Sequence, residues 1–153
     1  MSDNTYIIIL GTMSGGTDWL CLGTTTQADG THVCSVAKYS HSSPAETWRL
    51  VPVPGSAGSL GYYLQHTQTD LLARFGDSHA ITLKNFSPVD REFFVRLEHT
   101  GDGWTAINNH DNSLVMDATG KDPVVGAMVF PNKWNKGDNQ RWRFIDSVLL
   151  PRK

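Results

Sequence analysis

The side chains with chemistry to offer gather in the last third of the chain. They include the carboxylate Asp117, the carboxamides Asn132, Asn139 and Gln140, and the aromatics Phe130 and Trp134. A carboxylate accepts two hydrogen bonds at once, whereas a carboxamide both donates and accepts. An aromatic ring supplies a flat apolar face. Together they suit a polyhydroxylated ligand whose vicinal hydroxyls sit beside an apolar C–H face. Catalytic patterns are missing. The six His residues (His32, His41, His66, His79, His99 and His110) show no metal spacing, and neither His-Glu-x-x-His nor Cys-x-x-Cys occurs. There is no Gly-x-Ser-x-Gly elbow and no recognisable glycosidase carboxylate pair. Gly101 to Ala106 spells a dinucleotide fingerprint by letters alone, with no helix pattern after it. No catalytic residue, metal ligand or cofactor is expected.

The elements that would position these groups are strands. Gly137 to Phe144 contains Gln140-Arg141-Trp142, and Trp142 and Phe144 lie two apart, on one face of a strand. Glu46-Thr47-Trp48-Arg49-Leu50 has the same layout, and Arg91-Glu92-Phe93-Phe94-Val95 is a looser copy. Trp48 to Phe93 is 45 residues and Phe93 to Trp142 is 49, which indicates an internal repeat. Each repeat offers four short strand patterns, and none shows sustained helical periodicity. In order they are Tyr6 to Leu10, Trp19 to Leu22, Val33 to Tyr39 and Trp48 to Val53; Tyr62 to Gln65, Leu71 to Phe75, Ile81 to Leu83 and Phe93 to Leu97; and Trp104 to Ile107, Leu114 to Met116, Met128 to Phe130 and Trp142 to Ile145. Asp29-Gly30 marks a hairpin turn, and Pro52 to Gly61 reads as a loop between repeats. One repeat cannot bury its own apolar face, so three must pack about a shared axis. The expected fold is all-β, a β-trefoil in a single domain, 1–153. Its repeats would run over about 4–54, 59–100 and 101–147, with a loose tail at 148–153.

The totals agree with a folded domain and limit its partners. The chain has 153 residues, 39% of them hydrophobic and 18% charged, enough for a core. Thirteen Lys plus Arg against fifteen Asp plus Glu give a net charge of −2. That balance argues against nucleic acid and anionic membranes, which are bound through accumulated positive charge. No apolar run approaches a membrane span, and the N-terminus lacks a signal-peptide pattern. A cytosolic location is expected, with Cys21 and Cys34 as reduced, buried thiols. The sequon Asn85-Phe86-Ser87 would then carry no glycan.

The Gln-x-Trp signature in threefold repetition resembles the ricin B-type lectin family, over essentially the whole chain, and the absent signal peptide is similar to its cytosolic fungal members. The third repeat matches best: Leu114-Val115-Met116-Asp117, Phe130-Pro131-Asn132-Lys133 and Asn139-Gln140-Arg141-Trp142. The resemblance implies a non-catalytic lectin for galactose or N-acetylgalactosamine on glycoproteins or glycolipids, and a role in defence. It makes Asp117 the carboxylate and Asn139 its amide partner, with Gln140 orienting the site. Phe130 would be the stacking platform and Trp134 its rival. Single-site affinity should be weak, on the order of 0.1 to 1 mM, so useful binding would need several repeats or a homodimer.

The first two repeats depart from this pattern. Gly23 or Leu22 stands where Asp117 does in the first, and Arg74 in the second; Ala45-Glu46 and Asp90-Arg91 replace Asn139-Gln140. Plainer readings exist for each group. Asp117 could shape a turn, Gln140 could serve the backbone, and Phe130 could be core, while Trp134 lies in a polar loop. Asn108-Asn109-His110-Asp111-Asn112 reads as a solvated hairpin rather than a calcium loop. A second function also fits a trefoil of this size: protease inhibition of the mycocypin type, through the loop at Pro52 to Gly61 or the turns at Gly15 and Asp29.

Overall fold

A computed structural model describes residues 4–11, 19–39, 46–53, 61–76, 79–101, 103–119 and 123–147. The Gly15-Gly16 break, Ala45, the interior of the loop after Pro52 and the C-terminal tail lie outside these.

Twelve strands form, each at or within a few residues of its sequence pattern. They are β1 (Tyr6–Leu10), β2 (Leu20–Thr26), β3 (His32–Lys38), β4 (Trp48–Pro52), β5 (Gly61–His66), β6 (Leu72–Arg74), β7 (Thr82–Lys84), β8 (Phe94–Gly101), β9 (Trp104–Asn108), β10 (Val115–Ala118), β11 (Val129–Asn132) and β12 (Trp142–Asp146). The described helical content is two 3-10 turns, Arg91–Phe93 and Asp138–Gln140. Strands β1, β4, β5, β8, β9 and β12 pair antiparallel in a closed ring, β1–β4–β5–β8–β9–β12–β1. Closure leaves this barrel without an open edge. The other six strands form three hairpins, β2–β3, β6–β7 and β10–β11. This is a β-trefoil.

The pairing registers correct one equivalence. Trp48 pairs with Tyr6, Val95 with Tyr62 and Trp142 with Thr105. Each partner lies three residues before the one that meets the hairpin: Ile9 with Cys21, Gln65 with Leu72, Asn108 with Val115. Val95, not Phe93, is therefore the counterpart of the two tryptophans, and 48, 95 and 142 are spaced by 47 residues. Phe93 ends a 3-10 turn, the place taken by Gln140 in the third lobe. It is still core, at 2% exposure. The pair equivalent to Asn139-Gln140 in lobe 2 is accordingly Glu92-Phe93 rather than Asp90-Arg91.

In this register the core is stacked in threefold layers. Ile8, Leu64 and Ile107 form one; Leu22, Ala73 and Met116 another; Cys34, Ile81 and Val129 a third, all fully buried. The last set meets through backbone, Cys34 N–H donating to Ile81 O and Ile81 N–H to Val129 O, both at 2.8 Å. The indole N–H of Trp48 donates to Leu22 O at 3.0 Å, and that of Trp142 to Met116 O at 3.2 Å. Lobe 2 keeps the layer with the smaller Val95 and Ala73. Phe75 and Phe93 stand where lobe 3 has Ala118 and Gln140, supplying apolar volume in their stead.

Cys21 and Cys34 are free and buried. Cys34 pairs with Thr24, three positions from Cys21 on the opposed strand, so the thiols project from opposite faces of the hairpin. They cannot bridge. The 108–112 segment is less solvated than its composition suggests. Asn108 and Asn109 are 3% and 4% exposed, and Asn109 Oδ1 accepts from the N–H groups of Ser113 and Leu114.

Candidate functional site

Strands β10 and β11 set Asp117 directly opposite Phe130. Cross-strand partners share a face, so the carboxylate and the ring are neighbours, as is Asn132 two residues on. The 3-10 turn Asp138–Gln140 then brings two amides over the same hairpin. Asn139 Nδ2 donates to Asp117 Oδ1 at 2.9 Å and to Ala118 O at 2.9 Å. Gln140 Nε2 donates to Asp117 Oδ2 at 2.8 Å, and Asn132 Nδ2 to the same oxygen at 3.2 Å. Asp117 is 5% exposed, so only the rim of its carboxylate faces outward.

Gln140 is completely buried and fully used. Besides Asp117 it donates to Lys133 O at 2.8 Å, and its Oε1 accepts from Asn135 N–H at 2.8 Å. It ties the 133–135 loop to the carboxylate, which makes it a positioning residue. Trp134 rides on that loop, 38% exposed, with the Arg141 guanidinium 5.4 Å above its ring. Arg141 was not singled out by the sequence pattern, although it sits between Gln140 and Trp142.

The capacity left for a ligand can be counted. A carboxylate oxygen has about two acceptor positions; Oδ2 of Asp117 has both filled and Oδ1 has one filled. Asn139 has spent its N–H groups and keeps a carbonyl acceptor. Asp117 Oδ1 and Asn139 Oδ1 thus each keep acceptor capacity, and Phe130, paired across the strands from Asp117, is half-buried. Five of the six residues selected from sequence come together here. Trp134 lies apart from the carboxylate's own hydrogen bonds, on the loop Gln140 clamps.

The same locus in the other lobes holds different chemistry. In lobe 1, Gly23 takes the Asp117 position, and a Cβ there would lie 2.5 Å from Glu46 Oε2. Glu46, at the Gln140 position, fills that space with its own carboxylate. It accepts from Thr24 N–H at 2.8 Å, from the Thr24 hydroxyl, and from His66 Nε2 at 2.7 Å. His66 is 2% exposed and rests on Trp48, centroids 5.0 Å apart. Burial disfavours the Glu46 charge, but the bonds from His66 and Thr24 outweigh it and hold the carboxyl below its ordinary range. In lobe 2, Arg74 replaces the aspartate and its Nε donates to Asp90 Oδ2 at 2.8 Å. Neither the Glu46–His66 pair nor Arg74–Asp90 was foreseen, because both link residues far apart in the chain. Among the described residues no group of three or more His, Cys, Asp or Glu is placed to hold a metal.

Fold and site together define a β-trefoil with an acid–amide cluster in its third lobe. No protein-family model matches the sequence, and no curated protein does either. Solved structures do match. ThreeFoil, a designed threefold-symmetric protein, superposes with a TM-score of 0.69 at 22% identity, over 93% of this chain and 98% of its own. The Rhizoctonia solani agglutinin gives 0.69 at 21%, over 95% and 96%. The Polyporus squamosus lectin, solved with the epitope Neu5Aca2-6Galb1-4GlcNAc, gives 0.70 at 10%, over 95% of this chain and 50% of that one. The β-trefoil neighbours thus include lectins.

Proposed function

We propose that the protein is a non-catalytic glycan-binding module that takes a galactose or N-acetylgalactosamine residue at Asp117, Asn139 and Phe130. The observation that carries this is the carboxylate held by Asn132, Asn139 and Gln140 directly across the strand pair from an aromatic ring. Two sugar hydroxyls can donate to Asp117 Oδ1 and Asn139 Oδ1 while the C–H face lies on Phe130. The lectins and the agglutinin among its structural neighbours support the same class. Lobes 1 and 2 do not share the arrangement, so one such site per chain is expected.

The test is a glycan array and a galactose titration with the native chain and Asp117→Ala. Loss of binding with a preserved circular-dichroism spectrum supports the site, and undiminished binding discards it. The protease-inhibitor reading rests mainly on the loop at 52–61, of which 54–60 lie outside the described residues. No observation favours it, and a papain and trypsin inhibition assay tests it directly.

A further inference from the structure

We propose that the seam between lobes 2 and 3 holds a second site, one that takes the carboxylate or sulfate of an acidic saccharide. A cavity of ≈ 340 Å³ opens there, beneath the turn that leads from Pro88 into Arg91. Its volume falls in the range of small-ligand sites, roughly 300 to 1,000 Å³. None of the Asp117 group lines it.

Its walls combine aromatic surface with unneutralised cations. Tyr63 and Phe94 are cross-strand partners on β5 and β8 and both line the cavity. The Phe94 ring lies over Gly61, where a Cβ would come within 2.3 Å of it. The Arg96 guanidinium stacks on Phe94, 4.8 Å from the centroid, and its Nε donates to His110 O at 2.8 Å. Those two contacts aim its remaining N–H groups without neutralising it, since no carboxylate pairs with Arg96 among the described residues. Arg91 stands exposed at the opposite wall and likewise has no ion pair among them. A planar guanidinium fork suits a carboxylate or sulfate.

One acid, Asp90, shares the lining with these two cations, and it is already paired. The Asp90 carboxylate is spent on Arg74 Nε at 2.8 Å and on Glu92 N–H at 3.0 Å. Glu92 and Glu98 do not line the cavity; Glu92 lies 3.9 Å from His110 Nε2, and Glu98 accepts from Asn108 at 3.2 Å. Arg91 and Arg96 are the lining residues with guanidiniums that no carboxylate pairs among the described residues. With an overall charge of −2 the molecule disfavours polyanions, so the site suits a single acidic group beside the aromatic lining of Tyr63 and Phe94. That the anion is borne on a sugar rests on the glycan-binding reading; the preference for an anion does not.

The experiment is an amide NMR titration of the full chain with galactose, glucuronate and galactose 6-sulfate in parallel. The acidic sugars should shift the resonances of Tyr63, Arg96 and His110, and galactose should not. The two acidic arms show whether carboxylate or sulfate is preferred. Arg91→Ala, on an exposed side chain, should weaken acidic-sugar binding roughly tenfold, about 1.4 kcal/mol. Raising NaCl to 0.5 M should weaken it further. Absence of these shifts, equal shifts with galactose, or an unchanged Kd in Arg91→Ala overturns the site, whatever galactose does near Asp117. Galactose shifts near Asp117 alone would sustain the first site and remove this one.

Discussion

Gln140 donates one hydrogen bond to the Asp117 carboxylate and one to the Lys133 carbonyl, each at 2.8 Å, from a position with no solvent exposure. The amide is the joint between the hairpin that bears the acid and the loop that bears Trp134. Gln140→Ala would take a donor from the buried Asp117 carboxylate and release the Asn135 N–H and the Lys133 carbonyl, which belong to exposed residues. It should cost about 2 to 3 kcal/mol, since an unmet buried polar group costs about 1 to 3. Urea unfolding measures the loss, and a shifted Trp emission would report release of the loop. Unaltered stability would show that the joint does not hold the loop to the hairpin.

The indole bonds of Trp48 to Leu22 and of Trp142 to Met116 predict matching losses in two lobes. Trp48→Phe and Trp142→Phe each remove a buried donor and leave a carbonyl unmet, at about 1 to 3 kcal/mol plus the lost packing. Thermal unfolding of both variants checks this. Val95→Ala, which breaks no hydrogen bond, should cost less than either; a larger loss there would contradict the assigned equivalence.

Acid should act through Glu46. Its carboxyl titrates below the ordinary range in the folded chain, despite the opposing effect of burial, because His66 and Thr24 hydrogen-bond to it. A depressed folded pKa means the stabilisation is complete above the unfolded value, about 4.3, and is lost as pH falls through the folded one. Glu46→Gln should therefore lower the melting temperature at pH 7, and the gap from the native chain should narrow below about pH 4. A gap that is constant from pH 7 to pH 3 would refute the pairing.

The two thiols should be inert in the native state. Burial, with a smaller contribution from the Glu46 charge, pushes the Cys21 thiol up to about 12 and raises Cys34 as well. Ellman's reagent should label neither cysteine at pH 8 until denaturant is added, and both afterwards. Rapid labelling without denaturant would show that the hairpin opens readily.

All twelve strands and the threefold plan were legible in the sequence, because alternating apolar residues and turn signals are local. The strands that begin at Trp48 and Trp142 announced themselves, since a large aromatic and the residue two places on must share a face. The second lobe misled because Phe93 is aromatic and stands near the right spacing. Only the barrel registers show that Val95 lies in the tryptophan layer and Phe93 in the glutamine position. Likewise, Asp117, Phe130, Asn139 and Gln140 could be chosen from residue type and resemblance. That three amides converge on one carboxylate, with Gln140 spent inside the protein, depends on strand pairing between β10 and β11 and on a 3-10 turn. The Glu46–His66 pair and the seam at Arg91 and Arg96 were invisible for the same reason. Local sequence governs which face a side chain takes on its strand, but closing the barrel is what brings distant strands, and the charges they carry, into contact.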